Sequence, residues 1–310
     1  MNANIYDIYE LNSLYKSDPV GFISSVEANY HSQMKQIAEH IINSDKRRDV
    51  LLISGPSSSG KSTTANIIRN HITAAGMDSI AMSTDDFFFN RDELNASKLG
   101  YDFESPTIVN ELLLIDKINE LLTHGEAYIP TFDFVSGKKI YETKKKKLAE
   151  DGVIIIEGIH ALNKDVIELS RKIDATRVYV STVSGIKAGD VVISGRDMRL
   201  TRRILRDIKF RGTSMEETLD RWENVCAGET KYIAPHMNTA NYIVDTFLPY
   251  EPLMMRNSML EIFGGDHGKY ADDPRIKQFE FIYNACIDGD ESLVPTESLI
   301  REFIGGGIYG

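Results

Sequence analysis

The residues GPSSSGKS, 55–62, follow directly on the apolar run Val50, Leu51, Leu52 and Ile53. Chemistry of one kind suits this order of types. Glycines without a Cβ let backbone N–H groups turn inward around phosphate oxygens. Lys61 supplies a point charge, Ser62 offers a hydroxyl to Mg²⁺, and the helix starting there aims the positive end of its dipole at the same anion. Gly55, Ser57, Ser58, Ser59, Gly60, Lys61, Ser62 and Thr63 are therefore the candidate nucleotide-binding residues, with ATP and Mg²⁺ as the implied cofactors. A pattern of this kind arises by chance in roughly one chain of this length in a hundred. Its setting is also specific, because TTANIIRNHITAAG leaves the loop as an amphipathic helix closed by Gly76.

A phosphate loop alone does not separate a kinase from a switch or a transporter. Transfer to an alcohol needs a carboxylate to take the hydroxyl proton, and Asp85, just past SIAMS, stands at the correct strand end, with neighbouring Asp86 the weaker candidate. A second acid is needed near the metal, and Glu157 closes the apolar run VIII. Ser62, Glu157 and Asp85 form the candidate metal set. The bland alternatives are a helix N-cap for Asp85 and a surface carboxylate for Glu157. Charge building up in transfer calls for cations, and Arg199, Arg202, Arg203, Arg206 and Arg211 fall within thirteen residues. At helical spacing Arg199, Arg203 and Arg206 share a face, and in so acidic a chain the five read as an anion-facing, mobile cover. No Asp-x-x-Gly or Asn-Lys-x-Asp follows the loop, against a GTP switch, and no Leu-Ser-Gly-Gly occurs, against a transporter ATPase.

The elements that must position these groups alternate. Strands are expected at 50–54, 79–83, 153–157, 176–181 and 241–245, and helices at 61–75 and 108–123. This is an α/β pattern that calls for a mostly parallel sheet covered by helices on both faces, with ligands at the carboxyl ends of its strands. A long outer helix is expected over 20–44 and a β-hairpin over 127–143 around Ser136-Gly137. An Arg-rich helix pair around Gly212 should span 196–227, with further helices at 275–287 and 296–304. The expected organisation is an N-terminal helical extension 1–48, a kinase domain 49–263 and a helical tail 264–310.

Bulk properties narrow the partners. The chain has 310 residues, 35 Lys+Arg against 46 Asp+Glu and a formal charge of −11, which argues against non-specific nucleic-acid binding and a polybasic membrane anchor. The basic run 144–147 reads as a solvated strand end or loop. Cys226 and Cys286 lack metal-ligand spacing, and no apolar stretch is long enough for a signal peptide or a span. A cytoplasmic location is the expectation.

The stretches ISGPSSSGKST, STDDFF, YDFESP, IPTFDFVSG, VIIIEGIHAL and RLTRRILRDIKFRG, in this order, resemble the uridine kinase family, relatives of phosphoribulokinase within the P-loop kinase fold. The resemblance covers residues 49 to about 263. It implies Asp85 as catalytic base, Ser62 and Glu157 around Mg²⁺, and Arg206 and Arg211 acting with Lys61 on the phosphates. It further implies Glu104 on the ribose hydroxyls, Arg203 near the nucleoside, and Phe132 along the base. Gly137, Thr213 and Arg221 depart from residues that read the base in animal uridine-cytidine kinases, so the base is left open. A small-molecule nucleoside substrate, phosphorylated on its 5′-hydroxyl, is the implied partner. A homo-oligomer is implied by analogy alone. A kinase for a sugar phosphate or pantothenate, and a non-catalytic nucleotide-binding module, are the alternatives.

Overall fold

The computed structural model of the chain describes residues 3–97, 104–141, 145–265 and 267–309. The chain enters through a short strand β1 (Ile5–Asp7), helix α1 (Ile8–Ser17) and the long helix α2 (Pro19–Ile42). The phosphate loop joins β2 (Asp49–Ser54) to α3 (Lys61–Ala74), and β3 (Ser79–Ser83) and α4 (Arg91–Ser97) follow. Next come α5 (Glu111–His124), β4 (Glu126–Ala127), β5 (Pro130–Asp133), β6 (Lys138–Tyr141), β7 (Lys146–Lys147) and β8 (Val153–Glu157). Beyond these lie α6 (Lys164–Lys172), β9 (Thr176–Ser181), β10 (Gly185–Ala188), β11 (Val191–Ile193), α7 (Gly195–Arg211) and α8 (Met215–Gly228). The chain finishes with β12 (Tyr242–Asp245), α9 (Glu251–Phe263), α10 (Pro274–Ala285) and α11 (Arg301–Ile304).

The central sheet has the order β12-β9-β2-β8-β3, every pair parallel. Its inner strands are apolar on both faces because both are covered. Leu51, Ile53, Ile155, Val178 and Val180 face one core, which includes residues of α2, α3, α7, α9 and α10. Val50, Leu52, Ile154 and Ile156 face the other, with residues of α5 and α6. The period-two alternation of side chains thus splits one continuous apolar run between two cores. Among the described residues no helix is long and apolar enough to cross a membrane.

The hairpin β5–β6 forms antiparallel around Ser136 and Gly137, though residues 142 and 143 of the expected hairpin lie outside the described residues. So does Lys144 of the basic run, of which Lys146 and Lys147 form the strand paired with β4. Two features differ from the sequence reading. Residues 8–17 form α1, started by Asp7 accepting from the Tyr9 N–H and buried through Ile8, Leu11 and Tyr15. A second sheet, β1-β10-β11, pairs Ile5 with Gly185, so the N-terminal segment is held in place by a strand far along the chain.

Helix α7 corrects the picture of a wholly anion-facing cover. Met198, Leu200, Ile204 and Leu205 are buried in the main core, and Arg199 and Arg202 are buried with them. Arg202 Nε donates to Glu251 Oε1 at 2.9 Å, Nη1 to Thr182 Oγ1 at 3.0 Å and Nη2 to the Thr246 carbonyl at 2.7 Å. The guanidinium also lies 5.3 Å from the Phe303 ring centroid. A fully satisfied buried pair of this kind contributes little net, yet removing one partner strands a charge in the core. Arg202→Leu should lower the unfolding free energy by about 3–5 kcal/mol, read from the midpoint of urea denaturation followed by circular dichroism.

Candidate active site

Strand register brings the acids together. Glu157, the last residue of β8, pairs with Ser83 on one side and Ile53 on the other, so the ends of β2, β3 and β8 share one edge. The phosphate loop leaves from the first and Asp85 from the second. Gly158 makes the close approach possible: its φ is +152°, and a Cβ there would come within 1.8 Å of Thr84 Oγ1.

The turn Thr84–Phe87 answers the N-cap alternative for Asp85. Ser83 is the cap, accepting from the Asp85 N–H, and Asp86 completes a capping box by accepting from the Ser83 N–H. Asp86 also accepts from the Phe132 N–H at 3.2 Å, which commits it to structure. Asp85 keeps its carboxylate for the cavity. Ser62 Oγ donates to Glu157 Oε1 at 3.3 Å.

These groups line a cavity of about 320 Å³, together with Lys61, Ser57 and Ser58 of the loop and Arg203, Arg206 and Arg211 of α7. Glu104, Phe88 and Phe134 form part of the same wall. A larger hollow of about 640 Å³ between α1, α2 and the segment after β12 contains none of the loop or candidate acids. Of the remaining loop candidates, Ser59 and Thr63 are buried, and Gly55 packs against the Val180 carbonyl, where a Cβ would stand 1.8 Å away.

The loop is built for an anion. Among the described residues the buried hydroxyls of Ser58 and Ser59 have no hydrogen-bond partner. Buried donors are rarely left so, and a helix N-terminus collects them where a phosphate fits. Lys61 Nζ turns back to the Pro56 carbonyl at 3.0 Å. Its position among protein atoms lowers its pKa by desolvation, opposed by Glu157, Asp85 and Glu302. Asp85 and Glu157 are both raised, chiefly by desolvation, with Lys61 pulling down and Asp85 pushing Glu157 up. Ser62, Glu157 and Asp85 thus supply oxygen ligands of the type a hard divalent ion takes, which fits Mg²⁺.

The arginines divide by height along α7. Arg199 and Arg206 share a face, as their spacing requires, but stand two turns apart, about 10 Å. At the lower level Arg199 Nη1 donates to the Ser57 carbonyl at 3.0 Å and the same guanidinium pairs with buried Glu229, bracing the phosphate loop from behind. Glu229 opens a π-helical turn, Glu229–Ile233. At the upper level Asp207 gathers three guanidiniums, with Arg203 at 3.4 Å, Arg206 at 3.6 Å and Arg211 at 3.5 Å. Desolvation lowers the pKa of Arg203 and Arg211, and Asp207 opposes it in both. Arg203 Nη1 also donates to Ser57 Oγ at 3.1 Å, and Glu104 acts on Arg203 through space.

One candidate is displaced from the wall. Phe132 is buried behind Phe88 and Phe134, edge-on to both at 5.5 and 5.2 Å, so the rings that meet the cavity are those two. They lie inside the motif stretches STDDFF and FDFV. Asp207 lies within RLTRRILRDIKFRG but was not singled out there, and Glu229 and Glu302 carried no motif. Tyr101, Asp102 and Phe103 of YDFESP lie outside the described residues.

The profile of the Phosphoribulokinase / Uridine kinase family matches residues 50–249. The chain belongs to this family. A uridine kinase of Staphylococcus haemolyticus is 27% identical over 199 residues, covering 63% of this chain and 86% of the relative. A uridine kinase of Anoxybacillus flavithermus is 28% identical over 203 residues, covering 64% and 86%. The crystal structure of a putative fructose transport system kinase from Silicibacter sp. TM1040 has the same fold, with a TM-score of 0.52, 17% identity and coverage of 68% of this chain and 98% of that one. The chain is a P-loop kinase, a phosphotransferase of the family of phosphoribulokinases and uridine kinases.

Two raised carboxyls beside each other carry a cost to stability. A carboxyl whose folded pKa exceeds its unfolded one is penalised in full above the folded value and not at all below the unfolded value. Asp85→Asn should therefore stabilise the metal-free protein at pH 8. The gain should shrink as pH falls toward the ordinary Asp value of about 3.9, which thermal unfolding at the two pH values measures.

Proposed function

We propose that this kinase transfers the γ-phosphoryl group of ATP to the 5′-hydroxyl of a ribonucleoside, most simply a pyrimidine one. The observation that supports this reading most is the convergence of Asp85, Glu157 and Ser62 with Lys61 and three arginines in one cavity. Magnesium, when bound with the triphosphate, neutralises charge on the β- and γ-phosphates.

The chain's own residues do the rest. The N–H groups of the phosphate loop and Lys61 hold the β- and γ-phosphates, and Ser62 and Glu157 hold the metal. Asp85 takes the proton of the acceptor hydroxyl as its oxygen bonds to the γ-phosphorus and the bond to the β-phosphate oxygen breaks. Desolvation makes Asp85 a better base than an exposed carboxylate. Arg206 and Arg211 take up the charge of transfer, and with Arg203 they exclude water that would otherwise accept the phosphoryl group. Glu104 fits ribose hydroxyls, beside the aromatic wall of Phe88 and Phe134, against which a flat base can lie. At Gly137, where the related animal enzymes place a base-reading side chain, the hairpin turn is instead packed by Arg91, whose N–H donates to the Gly137 carbonyl at 2.9 Å.

The reading is tested by ADP release with a panel of ribonucleosides, ribulose 5-phosphate and pantothenate. Turnover should be stimulated by a nucleoside, and stimulation by the other acceptors alone would overturn the choice of substrate. Asp85→Asn should retain ATP binding and lose roughly 10²-fold or more in kcat; unchanged turnover would remove Asp85 from the chemistry.

A further inference from the structure

The cavity holds an acid that comes from outside the family match. Glu302, on α11, lines it beside Arg206, and its Oε1 accepts from Arg206 Nη1 at 3.1 Å. The family profile ends at residue 249, so this carboxylate is a contribution of the C-terminal segment to a site otherwise built from matched residues.

That segment is fixed on both halves of the phosphate-binding apparatus. Ser298, Leu299, Ile300 and Phe303 are buried. Leu299 sits directly on the α-carbon of Gly60 in the phosphate loop: a Cβ at Gly60, whose φ is +83°, would come within 2.2 Å of Leu299 Cδ1. Phe303 covers the Arg202 guanidinium, and Lys209 Nζ donates to the Ile304 carbonyl at 3.4 Å, so the same turn is fastened to α7. Asn70 on α3 donates to the Tyr309 hydroxyl at 2.6 Å. The backbone of the tail is thus anchored between the loop and the arginine helix. The Glu302 side chain is not: a quarter of it (25%) is exposed, and it has solvent to turn into.

We infer that Glu302 is a built-in competitor of the triphosphate, an anion that occupies Arg206 in the empty site and is displaced when the phosphates arrive. The inference rests on the kinase reading of the cavity and adds regulation to it. Two physical effects act in the same direction. Arg206 is nearly buried, and of its two carboxylate partners Glu302 is the closer, at 3.1 Å against 3.6 Å for Asp207, so the pair with Glu302 stabilises the phosphate-free site and must be given up on binding. In addition Glu302 acts through space on Lys61, so its charge opposes a second anion at the loop even after the side chain has swung aside. With Asp85 and Glu157 already lining the cavity, Glu302 is an acid the metal site does not need. The consequence is a binding constant held weaker than the cations alone would give.

Calorimetric titration of magnesium-ATP into four full-length proteins tests this: wild type, Glu302→Gln, Arg206→Gln and the double variant. Glu302→Gln keeps the size of the side chain and removes its charge, and should lower the dissociation constant by up to about fivefold, the range expected for a partly exposed ion pair. In the Arg206→Gln background the same change should gain less, because the two act on each other. Loss of tail packing weakens binding, so a gain in affinity is a sign that a purely structural role would not produce. Unchanged or weaker binding by Glu302→Gln overturns the inference and leaves the tail as a brace or a metal ligand. Failure of the kinase reading shows differently, as no heat of magnesium-ATP binding in any of the four and none with inorganic tripolyphosphate, and it overturns the competitor with it.

Discussion

The constraint on which this molecule turns is the meeting of a phosphate loop, strand-end acids and guanidiniums in one cavity. Four cations, Lys61, Arg203, Arg206 and Arg211, line it with four carboxylates, Asp85, Glu104, Glu157 and Glu302. The buried hydroxyls of Ser58 and Ser59 have no partner beside it. Lys61 turns back on the Pro56 carbonyl in that setting, and Arg206 takes Glu302. No acid belongs to the loop itself, where phosphate oxygens fit better than any side chain.

Holding such a loop open requires rigidity from behind, and two buried ion pairs supply it. Arg199 bridges the Ser57 carbonyl and Glu229, and Arg202 bridges Glu251 and the segment after β12. Both belong to the helix that carries Arg203, Arg206 and Arg211 into the cavity. One element therefore uses its inner arginines to fix its own position and its outer ones to line the cavity. The arrangement makes α7 part of the core through most of its length, with the cavity-facing guanidiniums collected by Asp207 at the far turns.

Much of the central frame was legible because it obeys local rules. An apolar run ending in GPSSSGKS can only be a covered strand entering an anion-binding helix start, and the alternation that follows demands a parallel sheet. Asp85 and Glu157 were legible for the same reason: each ends a strand, and parallel strands deliver their ends to one edge. The sequence also favoured Asp85 over Asp86 as the base, and the capping box of Ser83 and Asp86 became visible only with the turn itself. By contrast β1 and β10 are three and four residues long and pair across most of the chain, and neither has a pattern of its own.

The sequence by itself determined the chemistry available, because phosphate binding, proton abstraction and metal ligation each need particular residue types at short fixed spacings. Tertiary structure alone decided which of five similar arginines would line the cavity and which would be spent in the core. Helical spacing sets the face on which a side chain lies, and only the neighbours at each height along the axis decide what it touches. It also decided that Phe88 and Phe134, rather than Phe132, would meet the cavity, and that Glu302, distant in the chain and marked by no motif, would reach Arg206. Contacts of that kind depend on the packing of the whole tail against α3 and α7, which no local window of sequence contains.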